Sequence, residues 1–333
     1  MDFKDLFQKF NTLKVGIIGD VMLDSYIWGN VDRISPEAPV PIVSLHHKEQ
    51  RIGGAGNVAL NVQSLGAKAF VLSVTGDDEE SRQLYQLFAK NNIDISYSVS
   101  SSSRITTNKT RVISRNQHMM RLDAENTHDL STEEESRLLD LFEKFVREEK
   151  PDIVILEDYN KGVLTQAVIQ SVISICREAG IITAVDPKRK NFFEYRHVTI
   201  FKPNLKEVKD ALNLLSGEVN LQALESIHLE LNNLLKHQVS FITLSEKGVF
   251  YHNKEKSSLI PSHLRNISDV SGAGDTVIAT ASVVYAATKN VQLMAEIANI
   301  AGGLVCEEVG TVAIRKDKLL HECELLLESL ELS

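Results

Sequence analysis

The chain has 333 residues, 43% of them hydrophobic, with a net charge of −9 and 3 cysteines. The acidic balance argues against nucleic-acid or anionic-membrane partners, and no apolar run is long enough to span a bilayer. Cys176, Cys306 and Cys323 show neither metal-ligand spacing nor a disulfide framework, and the N-terminus lacks a signal-peptide core, so a reducing cytoplasm is expected.

The first strand signal is the apolar run 14–19, which closes on Gly19-Asp20. Residues 24–50 follow with three prolines and little helical pattern. Gly53-Gly54-Ala55-Gly56-Asn57 then opens a helical run over 58–65 that Gly66 stops. Glycines ahead of a helix let the backbone approach a ligand, and Asn57 offers both donor and acceptor, which suits a pair of sugar hydroxyls. The plain alternative is a tight turn with an Asn cap. Residues 54–59 also fit the dinucleotide pattern G-x-G-x-x-A, but that pattern needs a buried strand entering the glycines. Residues 46–51 are polar, so a nicotinamide-dependent dehydrogenase is disfavoured.

Further along, apolar runs at 69–74, 153–156, 181–185, 199–202 and 241–244 alternate with helical stretches such as 131–149 and 166–179. The alternation predicts a mainly parallel sheet covered by helices, with 1–333 as one domain. Ligands gather at the carboxyl ends of such strands, where Asp20, Glu157, Asp158, Asp186 and Asn204 fall. Segments of about 24–50 and 105–123 break the alternation and predict a small β-lid. In the second of these, Lys109, Arg111, Ile113 and Arg115 share one face by period two. The three cations either hold a substrate phosphate or stand as solvated charges that protect a sheet edge.

The most informative stretch is Asp269-Val270-Ser271-Gly272-Ala273-Gly274-Asp275, ahead of a predicted helix over 276–287. Gly272, Ala273 and Gly274 form a small-residue turn at a helix start, where unpaired N–H groups and the helix dipole favour an anion. Asp275 would repel that anion unless it serves to take a proton. An anion hole with a built-in base points to phosphoryl transfer to a hydroxyl. A simple helix cap at Asp275 is the competing reading.

Together the two glycine clusters resemble the signatures of the ribokinase-like (PfkB) carbohydrate kinase family. Gly53 to Asn57 look like the first signature and Asp269 to Asp275 like the second. Lys202-Pro203-Asn204-Leu205-Lys206-Glu207 contains the family's Asn-x-x-Glu element. The resemblance implies a three-layer α/β/α fold with a β-lid that covers the sugar and pairs subunits into a homodimer. It implies ATP and Mg²⁺ as cofactors and Asp275 as base for the acceptor hydroxyl. Asn204 and Glu207 would place Mg²⁺ through water. Thr243, Ser245, Gly248 and Lys188 would face the nucleotide phosphates, and Asn299 the adenine. Asp20, Asp24, Gly53, Gly54, Asn57, Asp158 and Lys161 would bind the sugar, and Asp269 with Ser271 a monovalent cation such as K⁺.

A narrower resemblance runs through Gly19 to Gly29, Val31 to Pro41, Ser114-Arg115-Asn116-Gln117 and Arg121-Leu122-Asp123. These segments look like the D-glycero-β-D-manno-heptose-7-phosphate kinases of lipopolysaccharide-core heptose synthesis, in the form that stands alone. The implied product is the 1,7-bisphosphate on the way to ADP-heptose, with separate proteins for the next steps. A non-catalytic sugar sensor on the same fold would have no use for a base at Asp275.

Overall fold

A computed structural model describes residues 2–115, 117–214, 219–254, 256–263 and 265–327. The described strands are β1 (Lys14–Gly19), β2 (Val21–Ile34), β3 (Pro41–Gly54), β4 (Lys68–Leu72), β5 (Val74–Gly76), β6 (Val99–Ser101), β7 (Asn108–Ser114), β8 (Gln117–Ala124), β9 (Ile153–Glu157), β10 (Ile182–Asp186), β11 (Ile200–Phe201), β12 (Val239–Thr243), β13 (Val249–His252) and β14 (Ser257–Ile260). The helices are α1 (Phe3–Lys9), α2 (Ala55–Ser64), α3 (Glu79–Lys90), α4 (Thr132–Glu149), α5 (Gln166–Glu178), α6 (Leu205–Leu212), α7 (Leu221–Leu235), α8 (Ala273–Thr288), α9 (Val291–Val305) and α10 (Lys316–Leu327).

Eight strands form the main sheet in the order β14-β13-β12-β11-β10-β9-β1-β4. The pairs from β12 to β4 are parallel, and β13 and β14 add antiparallel strands at one edge. Its central strands are apolar on both faces, as a covered parallel sheet requires. Val15 and Ile17 of β1 enter one core and Ile18 the other; Ile153 and Ile155 of β9 likewise oppose Val154 and Leu156. Helices α1, α2, α8, α9 and α10 cover the first face, and α4, α5 and α7 the second. The fold is therefore a three-layer α/β/α sandwich. Helix α8 is buried from Asp275 through Val284, which explains its small and apolar sequence on all sides.

A second sheet has the order β3-β2-β7-β8. The lid segments expected at 24–50 and 105–123 fall in these strands. The sheet reaches beyond the first segment to Val21 and Gly54, while on the other side it begins only at Asn108. Asn116, part of the heptose-kinase resemblance, lies outside the described residues.

Three local expectations need correction. A strand does run straight into the first glycine cluster: β3 ends at Gly54, and its residues 44–48, polar except for Leu45, are exposed. It pairs antiparallel with β2 in the second sheet. The absence of a strand was thus the wrong reason to set a dinucleotide fold aside; the right one is that β3 is no buried parallel strand. Helix α2 begins at Ala55 rather than Val58, because Gly54 takes φ 60 and turns the chain so that the Ala55 N–H donates to the Asp20 carbonyl at 3.0 Å. The run 69–74 breaks at Ser73, whose hydroxyl donates to the Gly19 carbonyl at 2.7 Å, and β5 leaves to pair with β6.

Candidate active site

The carboxyl ends of β1, β9 and β10 meet the N-termini of α2 and α8. Gly272 caps α8 at φ 78, and a Cβ there would lie 2.8 Å from Asn57 Nδ2, so only glycine allows this approach. The Ala273 N–H, expected in the anion hole, donates to the Val270 carbonyl at 3.3 Å and closes the turn. Gly272 and Gly274 keep N–H groups with no backbone acceptor among the described residues. Gly274 is exposed, so its N–H is open to an incoming anion.

Asp275 sits in the first turn of α8, only 4% exposed. Its Oδ2 accepts from Asn57 Nδ2 at 2.7 Å and its Oδ1 from the Tyr159 hydroxyl at 2.6 Å. It does not cap the helix; Gly272 holds that position. Burial pushes its pKa up to about 6, against the opposing pull of the Tyr159 and Asn57 hydrogen bonds. A carboxylate poised there can hold or release a proton near neutral pH.

Around it lies a set of buried charges. Asp186 accepts from Lys202 Nζ at 2.8 Å and Lys188 Nζ at 3.3 Å, and Lys188 also reaches Glu207 Oε1 at 2.9 Å. Burial alone would raise Asp186, but Lys188 and Lys202 outweigh it and hold the carboxyl below the usual range. Burial likewise works against the Lys188 ammonium, and Asp186 and Glu207 more than reverse it, so Lys188 stays charged. Glu157 is fully buried with no partner for either carboxylate oxygen, and burial, then the charges of Asp186 and Asp275, push its pKa well up.

The sequence profile described as pfkB family carbohydrate kinase matches residues 12–318. The chain belongs to that family. It is 36% identical to the bifunctional protein HldE of Geotalea uraniireducens (strain Rf4) over 96% of its own length and 65% of the relative's. To the same-named protein of Koribacter versatilis (strain Ellin345) it is 38% identical over 92% of this chain and 62% of that one. It thus spans less than two thirds of the length of these relatives. Among solved structures, phosphofructokinase-2 from Escherichia coli in complex with potassium superposes with a TM-score of 0.77 at 18% identity, covering 94% of this chain and 99% of that chain. Arabidopsis thaliana ribokinase complexed with ribose and ATP gives 0.72 at 16% identity, over 92% and 98% of the two chains. The fold is ribokinase-like and the chain is a carbohydrate kinase by family, a family that acts on small-molecule sugars with ATP and a divalent metal.

Within this pfkB-family site, Asn204 and Glu207 cap α6 reciprocally: the Glu207 N–H donates to Asn204 Oδ1 and the Asn204 N–H to Glu207 Oε2, each at 2.8 Å. The remaining Glu207 oxygen meets Lys188, and a bridge between Asn204 and Thr243 brings β12 alongside. Among the described residues no group of three or more His, Cys, Asp or Glu could hold a metal alone. The partnerless carboxyl of Glu157 instead fits a divalent cation held mainly by nucleotide phosphates and water. Beyond Thr243, Ser245 is exposed at φ 55 and Gly248 buried at φ 95, where a Cβ would strike the Ile260–Ser262 backbone. Asn299 donates to the Pro261 carbonyl at 2.9 Å and so fixes this same loop.

On the lid side, Asp24 is buried against the Arg111 guanidinium, and Gly53 packs on the Asp24 carboxylate. Burial alone would lower Arg111, but Asp24 raises it. Lys109 lies 5.8 Å from the Tyr159 ring centroid, and burial, then the charge of Lys161, lowers its pKa. Lys161 pairs with Glu125 at 2.8 Å.

Several expected ligands are placed otherwise. Asp20 is 1% exposed, and its two oxygens accept from the backbone N–H groups of Tyr159, Lys161 and Val163 at 2.8, 3.0 and 3.0 Å. It anchors the loop after β9 and has no free face for a sugar. Asp158 is occupied by the Tyr195 hydroxyl and the Asn160 N–H, both at 2.7 Å; burial and then Asp20 raise its pKa to about 6. Asp269 accepts from the Ser271 N–H and hydroxyl and from the Gly310 N–H, each at 2.9 Å, so a monovalent cation would have to displace donors there. Arg115 leaves the cationic face because β7 ends at Ser114; at φ 48 it sits in the hairpin turn with a side chain 77% exposed.

Lys202 opens the Asn-x-x-Glu segment and Tyr159 opens the segment 159–162 that the resemblance ties to substrate binding, but sequence reasoning gives neither residue a role of its own. Both adjoin quoted motifs, Glu157-Asp158 and the Asn-x-x-Glu element, and adjacency to a strand-end carboxylate was the available signal.

Proposed function

We propose that the chain transfers the γ-phosphate of ATP to the anomeric hydroxyl of D-glycero-β-D-manno-heptose 7-phosphate, forming the 1,7-bisphosphate on the route to ADP-heptose and lipopolysaccharide core. One observation carries the chemistry: a buried carboxylate, Asp275, stands in the first turn of the helix whose N-terminal N–H groups form the anion site. Asp275 takes the acceptor proton as the sugar oxygen attacks phosphorus. The Gly272 and Gly274 N–H groups stabilise charge on the phosphoryl oxygens, and Lys188 neutralises the nucleotide. Mg²⁺ would be held by Glu157 through water and would screen the phosphate charge. Asn57 and Asp24 orient the sugar, and Lys109 with Lys161 holds its distal phosphate. The heptose assignment rests on the resemblance of the lid segments, and similarity to the two HldE proteins supports it. Two copies pair through the lid.

The test is ADP formation with Mg²⁺ and ATP, comparing heptose 7-phosphate with ribose, fructose and fructose 6-phosphate. Preference for the heptose phosphate with a 1,7-bisphosphate product is expected. Turnover with another sugar alone would discard the heptose assignment and keep the Asp275 chemistry.

A further inference from the structure

A kinase that keeps a general base beside a bound γ-phosphate must keep water from that base until the acceptor arrives. Water at Asp275 would react as the sugar does. Its oxygen would bond to the γ-phosphorus, the bond from phosphorus to the β,γ-bridging oxygen would break, and its proton would pass to Asp275. ADP and inorganic phosphate would leave.

Asp275 has two oxygens and two side-chain donors. Asn57, on Oδ2, is fully buried in α2, with Asn61 Nδ2 bonded to its carbonyl at 2.9 Å. Tyr159, on Oδ1, is different. It is only partly buried and stands in the loop between β9 and α5, where Asp20 holds the backbone. Two ammonium groups stand near its ring, Lys109 Nζ at 5.8 Å and Lys188 Nζ at 5.4 Å from the centroid. These are the cations assigned above to the sugar phosphate and the nucleotide. The Tyr159 ring thus stands near both cations, and its hydroxyl donates an O–H to the base, as an acceptor alcohol must.

We propose that Tyr159 guards the base: without sugar its phenol occupies the acceptor-hydroxyl position on Asp275 and excludes water, and the sugar hydroxyl displaces it on binding. The proposal rests on the reading of Asp275 as general base. The backbone anchor at Asp20 keeps the loop in place while the side chain moves.

The experiment measures ADP release from ATP without sugar, and sugar kinetics with the best acceptor of the panel above, for the full chain and for Tyr159→Phe, Asp275→Asn and the double variant. Tyr159→Phe keeps the ring and removes the competing O–H. Sugar-free ADP release is expected to rise about tenfold or more, and KM for the sugar to fall several-fold because no phenol has to be displaced. The double variant should lose the added hydrolysis. If Tyr159→Phe releases ADP at the wild-type rate, or if its sugar KM rises, the guard role is overturned. If Asp275→Asn retains turnover, the base reading fails whatever Tyr159 does; if it is inactive and Tyr159→Phe hydrolysis stays flat, only the guard fails. Tyr159→Leu, which also lacks the hydroxyl, serves if the Phe variant does not show a wild-type melting transition.

Discussion

The Asn57 side chain donates to Asp275 Oδ2 at 2.7 Å across a sequence separation of 218 residues. This bond joins the two glycine clusters, since Gly272 leaves room for Asn57 and Gly54 turns the chain that carries it. Asp275→Asn should lower kcat by roughly 10²–10⁴-fold, the range for losing a general base, with nucleotide affinity little changed. Equilibrium ATP binding beside steady-state rates checks this; near-normal kcat would remove Asp275 from the chemistry.

The acid limb of activity follows from the same carboxylate. Its pKa lies at about 6, raised first by burial. The base must be ionised, so kcat/KM should fall about tenfold per pH unit below 6 and level off above it. Asn57 pulls the pKa down by donating to the charged form. Asn57→Ala therefore removes a lowering influence, and the limb should move to higher pH. A limb that stays put or moves down would show that this bond does not set the proton affinity of the base.

Much of this arrangement was legible in the chain. Alternating apolar runs marked the parallel sheet because covered strands are apolar on both faces, and the glycine turn marked the N-terminus of α8, where Gly272 caps the helix at φ 78. What escaped was the allocation of hydrogen bonds. Asp20, Asp158 and Asp269 sit where ligand carboxylates belong, yet each is occupied by N–H or O–H groups from other segments. Sequence places a carboxylate at a strand end; only the fold decides whether a neighbouring loop takes it first. Arg115 escaped for a simpler reason, since period two holds only while the strand lasts, and β7 stops one residue earlier.

Lys109 and Arg115 make opposite predictions. Lys109 is partly buried beside Lys161 and the Tyr159 ring, where a substrate phosphate would gain two charge-assisted contacts. Lys109→Ala should raise KM for a phosphorylated sugar about tenfold or more and leave KM for ATP unchanged. Arg115→Ala, which removes an exposed charge 3.9 Å from Asp32, should change neither. A larger effect at Arg115 would move the phosphate site to the hairpin tip.

The lid edge offers a surface for a second copy. Strand β8 is exposed along its length, with Met119, Met120 and Leu122 at 42%, 54% and 54% exposure. Apolar side chains on an open edge strand favour pairing or aggregation unless covered. Sedimentation should give a dimer for the wild-type chain and a monomer for Leu122→Glu combined with Met120→Glu. Dimers that survive both charges would place the interface elsewhere.

A cluster of imidazoles around Ser240 ties stability to pH. His228 and His237 both contact the Ser240 hydroxyl, at 2.8 and 2.6 Å, and the His228 ring stacks on His252 at 3.7 Å. Burial, then the neighbouring imidazoles, lowers His228 to about 4 and His237 to about 3; burial also lowers His252, with Glu225 opposing. All three are neutral in the fold at neutral pH. Below the usual histidine pKa of about 6.5 the unfolded chain takes up protons that the folded chain refuses, so stability is complete above that value and falls as pH drops toward 4. The loss should be on the order of 2 kcal/mol, well under the sum for two fully desolvated imidazoles. Urea unfolding from pH 7 to 4.5 checks it in wild type and in His237→Leu. The variant should be less stable at pH 7, because Ser240 loses a partner, yet show a shallower decline with acid. Parallel declines would mean that carboxylates elsewhere, and not this cluster, govern the acid response.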